Sequence, residues 1–147
     1  MIIHKNKIVE DILKIYPESD YNRILLTSEE YLLPSSEEVE ESAIRNSPKG
    51  IKRVKNLTEC EKYAWYLNDA IHLERSLKDL PKEENYSWAF GWCIGMLNGF
   101  RRTSHTINIA VTKDMGIITI EHSNNEEGLI KIELPNPDSF SVFWVVM

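Results

Sequence analysis

The residue best suited to chemistry in this chain is a cysteine at a helix start. In the stretch Thr58-Glu59-Cys60-Glu61-Lys62-Tyr63-Ala64-Trp65, Thr58 and Glu61 fit a capping box. There the hydroxyl takes one orphan amide of the first turn and the carboxylate reaches back to another. Thr58 is then the N-cap and Cys60 the second helical residue, where the positive end of the helix dipole favours a thiolate over a thiol. Glu59 and Glu61 oppose that ionisation, so an active thiolate needs a positive charge from a protonated histidine, from Lys62 or from a bound cation. The same pattern also fits a small hydrophobe buried at a helix end. Cys93, between Trp92 and Ile94, reads as an inert core thiol. Two cysteines supply neither a disulfide framework nor a four-ligand zinc set.

A second pair with chemical potential lies downstream. Ser104 to Thr112 alternates, with His105, Ile107, Ile109 and Val111 on one face and Thr106, Asn108 and Ala110 on the other. Lys113-Asp114-Met115-Gly116 reads as a hairpin turn and Ile117 to His122 as the return strand. If Val111 faces Ile117, His105 and Glu121 are diagonal neighbours on one face; a slip of two residues makes them directly opposed. In either register the carboxylate can fix the imidazole tautomer and stabilise the imidazolium. The alternative is two polar residues at the solvated mouth of a sheet, and His4, His72 and His122 take that bland reading.

The remaining segments must position these groups. Lys7 to Tyr16 carries Ile8, Ile12, Leu13 and Ile15 at helical spacing and ends at Pro17. Asn22 to Thr27 is a short strand or extended linker. Ser35 caps a short polar helix running to about Arg45, which Asn46-Ser47-Pro48-Lys49-Gly50 breaks. The helix opened by Thr58 extends to about Leu77, with Cys60, Ala64, Leu67 and Ile71 on one stripe. Tyr86 to Leu97 reads as a buried strand, in which Gly91 and Gly95 permit close backbone approach, or as a buried helix. Strands at Leu129 to Leu134 and Ser141 to Met147 complete the chain. Helices followed by an antiparallel sheet make an α+β fold.

The chain has 147 residues with 42% hydrophobic and 27% charged, which suits one soluble globular domain over residues 1–147. A net charge of −6 disfavours a nucleic-acid partner. No apolar run is long enough for a membrane span, and residues 1–7 lack a signal-peptide core, so a cytoplasmic location is expected.

The order of a helix-start cysteine, a strand histidine and an acid on the next strand is that of the papain-like cysteine proteases. The resemblance narrows through Tyr31-Leu32-Leu33-Pro34-Ser35-Ser36-Glu37-Glu38-Val39, Glu59-Cys60-Glu61-Lys62-Tyr63-Ala64, Trp88-Ala89-Phe90-Gly91, His105-Thr106-Ile107-Asn108-Ile109, Ile118-Thr119-Ile120-Glu121 and Val142-Phe143-Trp144-Val145-Val146-Met147. These segments, in order from about Leu25 to Met147, are similar to the C-terminal domain of Marasmius agglutinin and its bacterial and phage relatives. The resemblance implies a papain-like fold, Cys60 as nucleophile, His105 as general base and Glu121 as orienting acid. It also implies a calcium site using Glu61 and Glu59, although Glu59-Cys60-Glu61-Lys62 stands where that family has Asp-Cys-Asp-Asp, and Glu121-His122-Ser123 where it has Glu-Pro-Gln. The expected function is a cysteine hydrolase cleaving peptide or isopeptide bonds of a protein substrate. Two rivals accompany it: a non-catalytic protein-binding factor of phage or bacterial type on the same scaffold, and a structural domain in which Cys60 is merely buried.

Overall fold

A computed structural model describes residues 1–19, 21–48, 60–98, 103–122 and 130–147. The amphipathic N-terminal pattern forms helix α1 (Lys5–Ile15), capped by the His4 side chain, which accepts from the Asn6 N–H. Ile8, Val9 and Ile12 are its buried face. Helix α2 (Ser36–Asn46) opens with a complete capping box between Ser35 and Glu38 and has Glu37 and Glu38 in its first turn. Two orphan amides and the helix dipole are thus satisfied locally, as the sequence expects. Helix α3 (Cys60–Ser76) buries Ala64, Leu67 and Ile71.

The N-terminal third adds strands β1 (Ile2–His4), β2 (Ile24–Leu25) and β3 (Glu30–Leu32), and the C-terminal part supplies β4 (Phe90–Leu97), β5 (Thr103–Thr112), β6 (Gly116–His122), β7 (Ile130–Glu133) and β8 (Phe140–Val146). One sheet runs in the order β2-β8-β4-β5-β6-β7; β1 and β3 form a separate antiparallel pair. The fold is mixed α+β. The expectation of helices followed by a wholly antiparallel sheet is corrected at β2, which joins the sheet parallel to β8 through Ile24↔Val145 and Leu25↔Val146. That pairing brings together residues far apart in sequence, so no local pattern announces it.

The sheet is covered on both faces. On one, α1 packs Ile8, Ile12 and Tyr16 against Cys93, Ile107, Ile109, Val111, Ile117, Val142 and Val145. On the other, Val39 and Ala43 of α2 and Leu67 and Ile71 of α3 meet Phe90, Ala110, Ile118 and Ile120. This explains why Ile118 and Ile120 are as apolar as their opposite-facing neighbours: a strand buried on both sides loses its polar alternation. Gly91 allows β8 to approach, since a Cβ there would lie 1.9 Å from the Val146 carbonyl oxygen. Gly116 closes the hairpin at φ 72°, in the left-handed region that glycine adopts without a steric penalty.

Candidate functional site: a cysteine, a histidine and an acid at a splayed strand pair

The hairpin adopts the first of the two registers. Val111 pairs with Ile117, Ile109 with Thr119 and Asn108 with Ile120, and there the β5–β6 ladder stops. Beyond it β6 continues alongside β7, with Glu121 opposite Lys131 and His122 opposite Ile130, while β5 continues along β4. The two strands splay, and His105 and Glu121 bridge the gap through a 2.6 Å contact between His105 Nε2 and Glu121 Oε1. The expected diagonal pair is therefore in place.

Cys60 enters the same gap from above. Helix α3 lies across β5, with smaller contacts to β4 and β6. Thr106 lies two residues beyond Asn108 on the same strand edge, where the ladder has ended, so its N–H is free to meet the thiol. The Cys60 thiol is half-buried and held below the ordinary thiol range, first by its hydrogen bond with His105, then by the Thr106 backbone N–H; burial and the Glu61 charge oppose the shift. His105 is pushed up to about 9 by the bonds with Cys60 and Glu121, against its own burial. Glu121 is held below the usual carboxylate range, chiefly by His105. All three shifts favour the charged forms, a thiolate and a carboxylate on either side of an imidazolium. A lowered thiol pKa is the direction in which a cysteine gains reactivity toward electrophiles. In its neutral form the Cys60 Sγ instead has Glu61 Oε2 as an acceptor at 3.6 Å.

Helix α3 is described from Cys60 onward; Thr58, the expected cap, and Glu59, one of two expected metal ligands, lie outside the described residues. Among the described residues no group of three or more His, Cys, Asp and Glu side chains is arranged to hold a metal ion. Cys93 is fully buried and its thiol is pushed up by that burial, in keeping with an inert core residue. His122 departs from its bland reading: its ring packs 5.7 Å from Tyr63 of α3, and its buried Nε2 has no hydrogen-bond partner among the described residues.

Three further features escaped the sequence reading. The Thr106 N–H is a backbone group, invisible in a list of side chains. Asn108 is fully buried, and its Nδ2 donates to Ala64 O at 2.8 Å and to Gly91 O at 3.0 Å, tying α3 and β4 to β5. The third is an aromatic face. Trp92 shares its side of β4 with Phe90 and Ile94, and Trp65 of α3 meets it edge-on at 5.9 Å. Trp144 of β8 pairs with Ile94, and both Trp65 and Trp144 are 43% exposed. Thr106 also pairs with Ile94, so the thiol and the aromatic residues follow one line across the sheet. The signal was present as three tryptophans on strands and a helix facing one way, but only the sheet order shows that they are neighbours. A cavity of about 90 Å³ touches His105, Thr119, Glu121 and Glu133 on the α1 face. A larger cavity, about 570 Å³ and lined by Glu18, Met96, Asn98 and Asp138 among others, includes none of the three site residues.

No protein-family profile and no curated protein matches the chain. Solved structures share its fold. One, described as a PSL1a–E64 complex, aligns with a TM-score of 0.75 and 11% identity over 99% of this chain and 51% of its own. Another, described as Polyporus squamosus lectin bound to the human-type influenza-binding epitope Neu5Acα2-6Galβ1-4GlcNAc, gives 0.66 and 12% over 99% and 49%. The chain thus spans about half the length of these structures, and likeness at such identity shows the fold alone. The neighbours correct the expectation of a papain-like cysteine hydrolase, and with it the hydrolase and thiol-protease assignments. One neighbour is described as a lectin, neither description names a protease, and the papain-like detail of the resemblance gains no support. The physical reason is that the chain order of a cysteine, a histidine and an acid fixes neither a fold nor an activity, since one fold hosts many roles. No helix among the described residues is long and apolar enough to cross a membrane.

Proposed function

We propose that the chain is a non-catalytic binding protein that holds a protein ligand on the face formed by Trp65, Trp92, Ile94 and Trp144. The observation that carries this reading is the exposure of Trp65 and Trp144 beside a sheet otherwise covered by helices. Large rigid aromatic side chains provide contact area at low entropic cost and are the residue type that most often anchors a protein interface. The fold shared with a lectin adds support, since it serves a protein described as a binder. Cys60, His105 and Glu121, expected as a catalytic set, form on this reading a reactive polar edge to the face. A glycan is the second ligand class, favoured by the epitope bound to the neighbour, although that neighbour is twice as long.

Tryptophan fluorescence tests the reading, because three of the four tryptophans lie on the proposed face. Titration with a panel of peptides, and with Neu5Acα2-6Galβ1-4GlcNAc, is expected to give saturable quenching by a peptide. Trp144→Ala should weaken it about tenfold or more, as removal of an interface anchor does. Cys60→Ala should bind as the unaltered protein does, and the ligand should be recovered intact by mass spectrometry. Breakdown of the bound peptide that Cys60→Ala abolishes would overturn the binding role, and quenching by the glycan alone would replace the ligand class. Incubation with E64, followed by intact-mass measurement and mapping, examines the polar edge separately: addition at Cys60 and not at Cys93 is expected of an accessible thiolate.

A further inference from the structure

Helix α3 is held on the sheet mainly by apolar contacts of Leu67 and Ile71 with Phe90, Ala110, Ile118 and Ile120. Such contacts are non-directional, so the polar contacts between α3 and the sheet add the directional control of its axial position. Among them, His72 Nε2 meets the Phe90 carbonyl oxygen at 3.1 Å toward the far end of the helix, and Asn108 Nδ2 donates to the Ala64 carbonyl at 2.8 Å at the Cys60 end. The second is the one within a turn of the thiol, whose approach to His105 and the Thr106 N–H depends on where the helix start lies.

We propose that Asn108 is the positioning residue that sets the register of α3 on the sheet and so holds Cys60 against His105 and the Thr106 N–H. Its Nδ2 bonds the Ala64 carbonyl, one turn beyond Cys60 on the same helix face, and the Gly91 carbonyl of β4. Two carbonyl acceptors settle which end of the amide is the donor. The bonds run from the middle of β5 to a fixed backbone atom of the helix, and about 6 Å of helix rise separates that atom's residue from Cys60. Ala64, 1% exposed, is small enough to let the carbonyl come so close to the strand.

The arrangement carries a cost that a merely stabilising residue would not. Asn108 is 0% exposed and its Oδ1 has no hydrogen-bond partner among the described residues. A buried acceptor left unpaired is destabilising, and an apolar residue of the same shape would avoid that penalty. Retaining a polar group at such a cost, between Ile107 and Ile109, suits a residue that selects one geometry rather than one that adds stability. The inference rests on the Cys60–His105 pair described above, and not on the ligand of the aromatic face.

Asn108→Leu tests it in a chelator-containing buffer, with two readouts on the folded chain. The ultraviolet thiolate absorbance at neutral pH and the rate of Cys60 alkylation by iodoacetamide should both fall, the rate by about tenfold if the thiol regains one pKa unit. The melting temperature should stay within about 5 °C of the parent's, because both partners of the lost bonds are backbone carbonyls and the unpaired Oδ1 is gone. Asn108→Ser, which keeps one shorter donor, should give an intermediate rate. Parent-like absorbance and alkylation in either folded variant would overturn the proposal, and so would loss of cooperative folding in both, since a structural role would then suffice. An ordinary, slowly alkylated Cys60 in the parent would instead remove the reactive pair on which the inference rests, which the parent measurement distinguishes.

Discussion

Cys60 and Cys93 place one residue type in two regions of the same sheet. Cys93 stands in the middle of β4, paired to Ile107 of β5 on one side and Val145 of β8 on the other, with no exposed surface. Its strand is paired on both sides at that point, and burial in hydrocarbon pushes its thiol up. Cys60 stands where the β5–β6 ladder has stopped, so an imidazolium and a free N–H reach it. A continuous ladder excludes chemistry by using up its own polar groups, and an interrupted one releases them. The same amino acid is therefore inert in one region and ionisable in the other, a contrast that the flanking residues, Trp92 and Ile94 against Glu59 and Glu61, already suggest.

The sharpest test of that contrast is alkylation of the two thiols in one sample. Cys60 is expected to react with iodoacetamide at neutral pH at least about a hundredfold faster than Cys93, since two pKa units alone give that ratio in thiolate fraction. Peptide mapping with time reads both rates, and equal slow labelling would break the contrast.

Next in size is a change aimed at the inert region. Gly91→Ala places a Cβ 1.9 Å from the Val146 carbonyl oxygen, a contact with backbone that only separation of β4 and β8 can relieve. A loss of about 3 kcal/mol in denaturant unfolding is expected. Cys93 should also become faster to alkylate, so the two thiols converge.

Removing the cation sharpens the Cys60 side. His105→Gln should raise the Cys60 thiol toward its ordinary value and slow its alkylation at pH 7 by about tenfold for each pKa unit regained. The stability contribution follows a definite sign. His105 is raised from 6.5 to about 9, so its contribution is fully present below pH 6.5 and lost as the pH rises through about 9. Glu121 is held below 4.5, so its contribution is present above pH 4.5 and lost as the pH falls through its folded value. The melting-temperature difference between the parent and His105→Gln should thus be greatest between pH 4.5 and 6.5 and shrink toward pH 9.

The smallest effect concerns packing alone. Cys93→Ala should cost about 1 kcal/mol through the small cavity it leaves among Ile107, Val142 and Val145, and Cys60→Ala less, at a half-buried helix end where solvent and neighbours can fill the space. Thermal unfolding of the two variants under one condition measures the difference, and a larger loss for Cys60→Ala would mean that its bonds to His105 and Thr106 N–H contribute more to the fold than Cys93's packing does.

The sequence by itself determined the local elements and one long-range pair. Periodic isoleucines marked α1, a serine followed by first-turn acids marked the start of α2, and the alternation around Gly116 marked a hairpin whose two admissible registers both bring His105 and Glu121 together, because each of these depends on residues within a turn or a strand of one another. It also marked Gly91 as a place of close approach. Only the tertiary structure decided the rest. The parallel pairing of β2 with β8 joins distant segments, and the end of the β5–β6 ladder at Asn108 is set by how β6 leaves β5 for β7. The line from Cys60 through Thr106 and Ile94 to Trp144 crosses a helix and three strands, so no window of sequence contains it. Function was the least legible, because the order of a cysteine, a histidine and an acid records which groups are present, whereas what they act on depends on surfaces that exist only once the sheet is assembled.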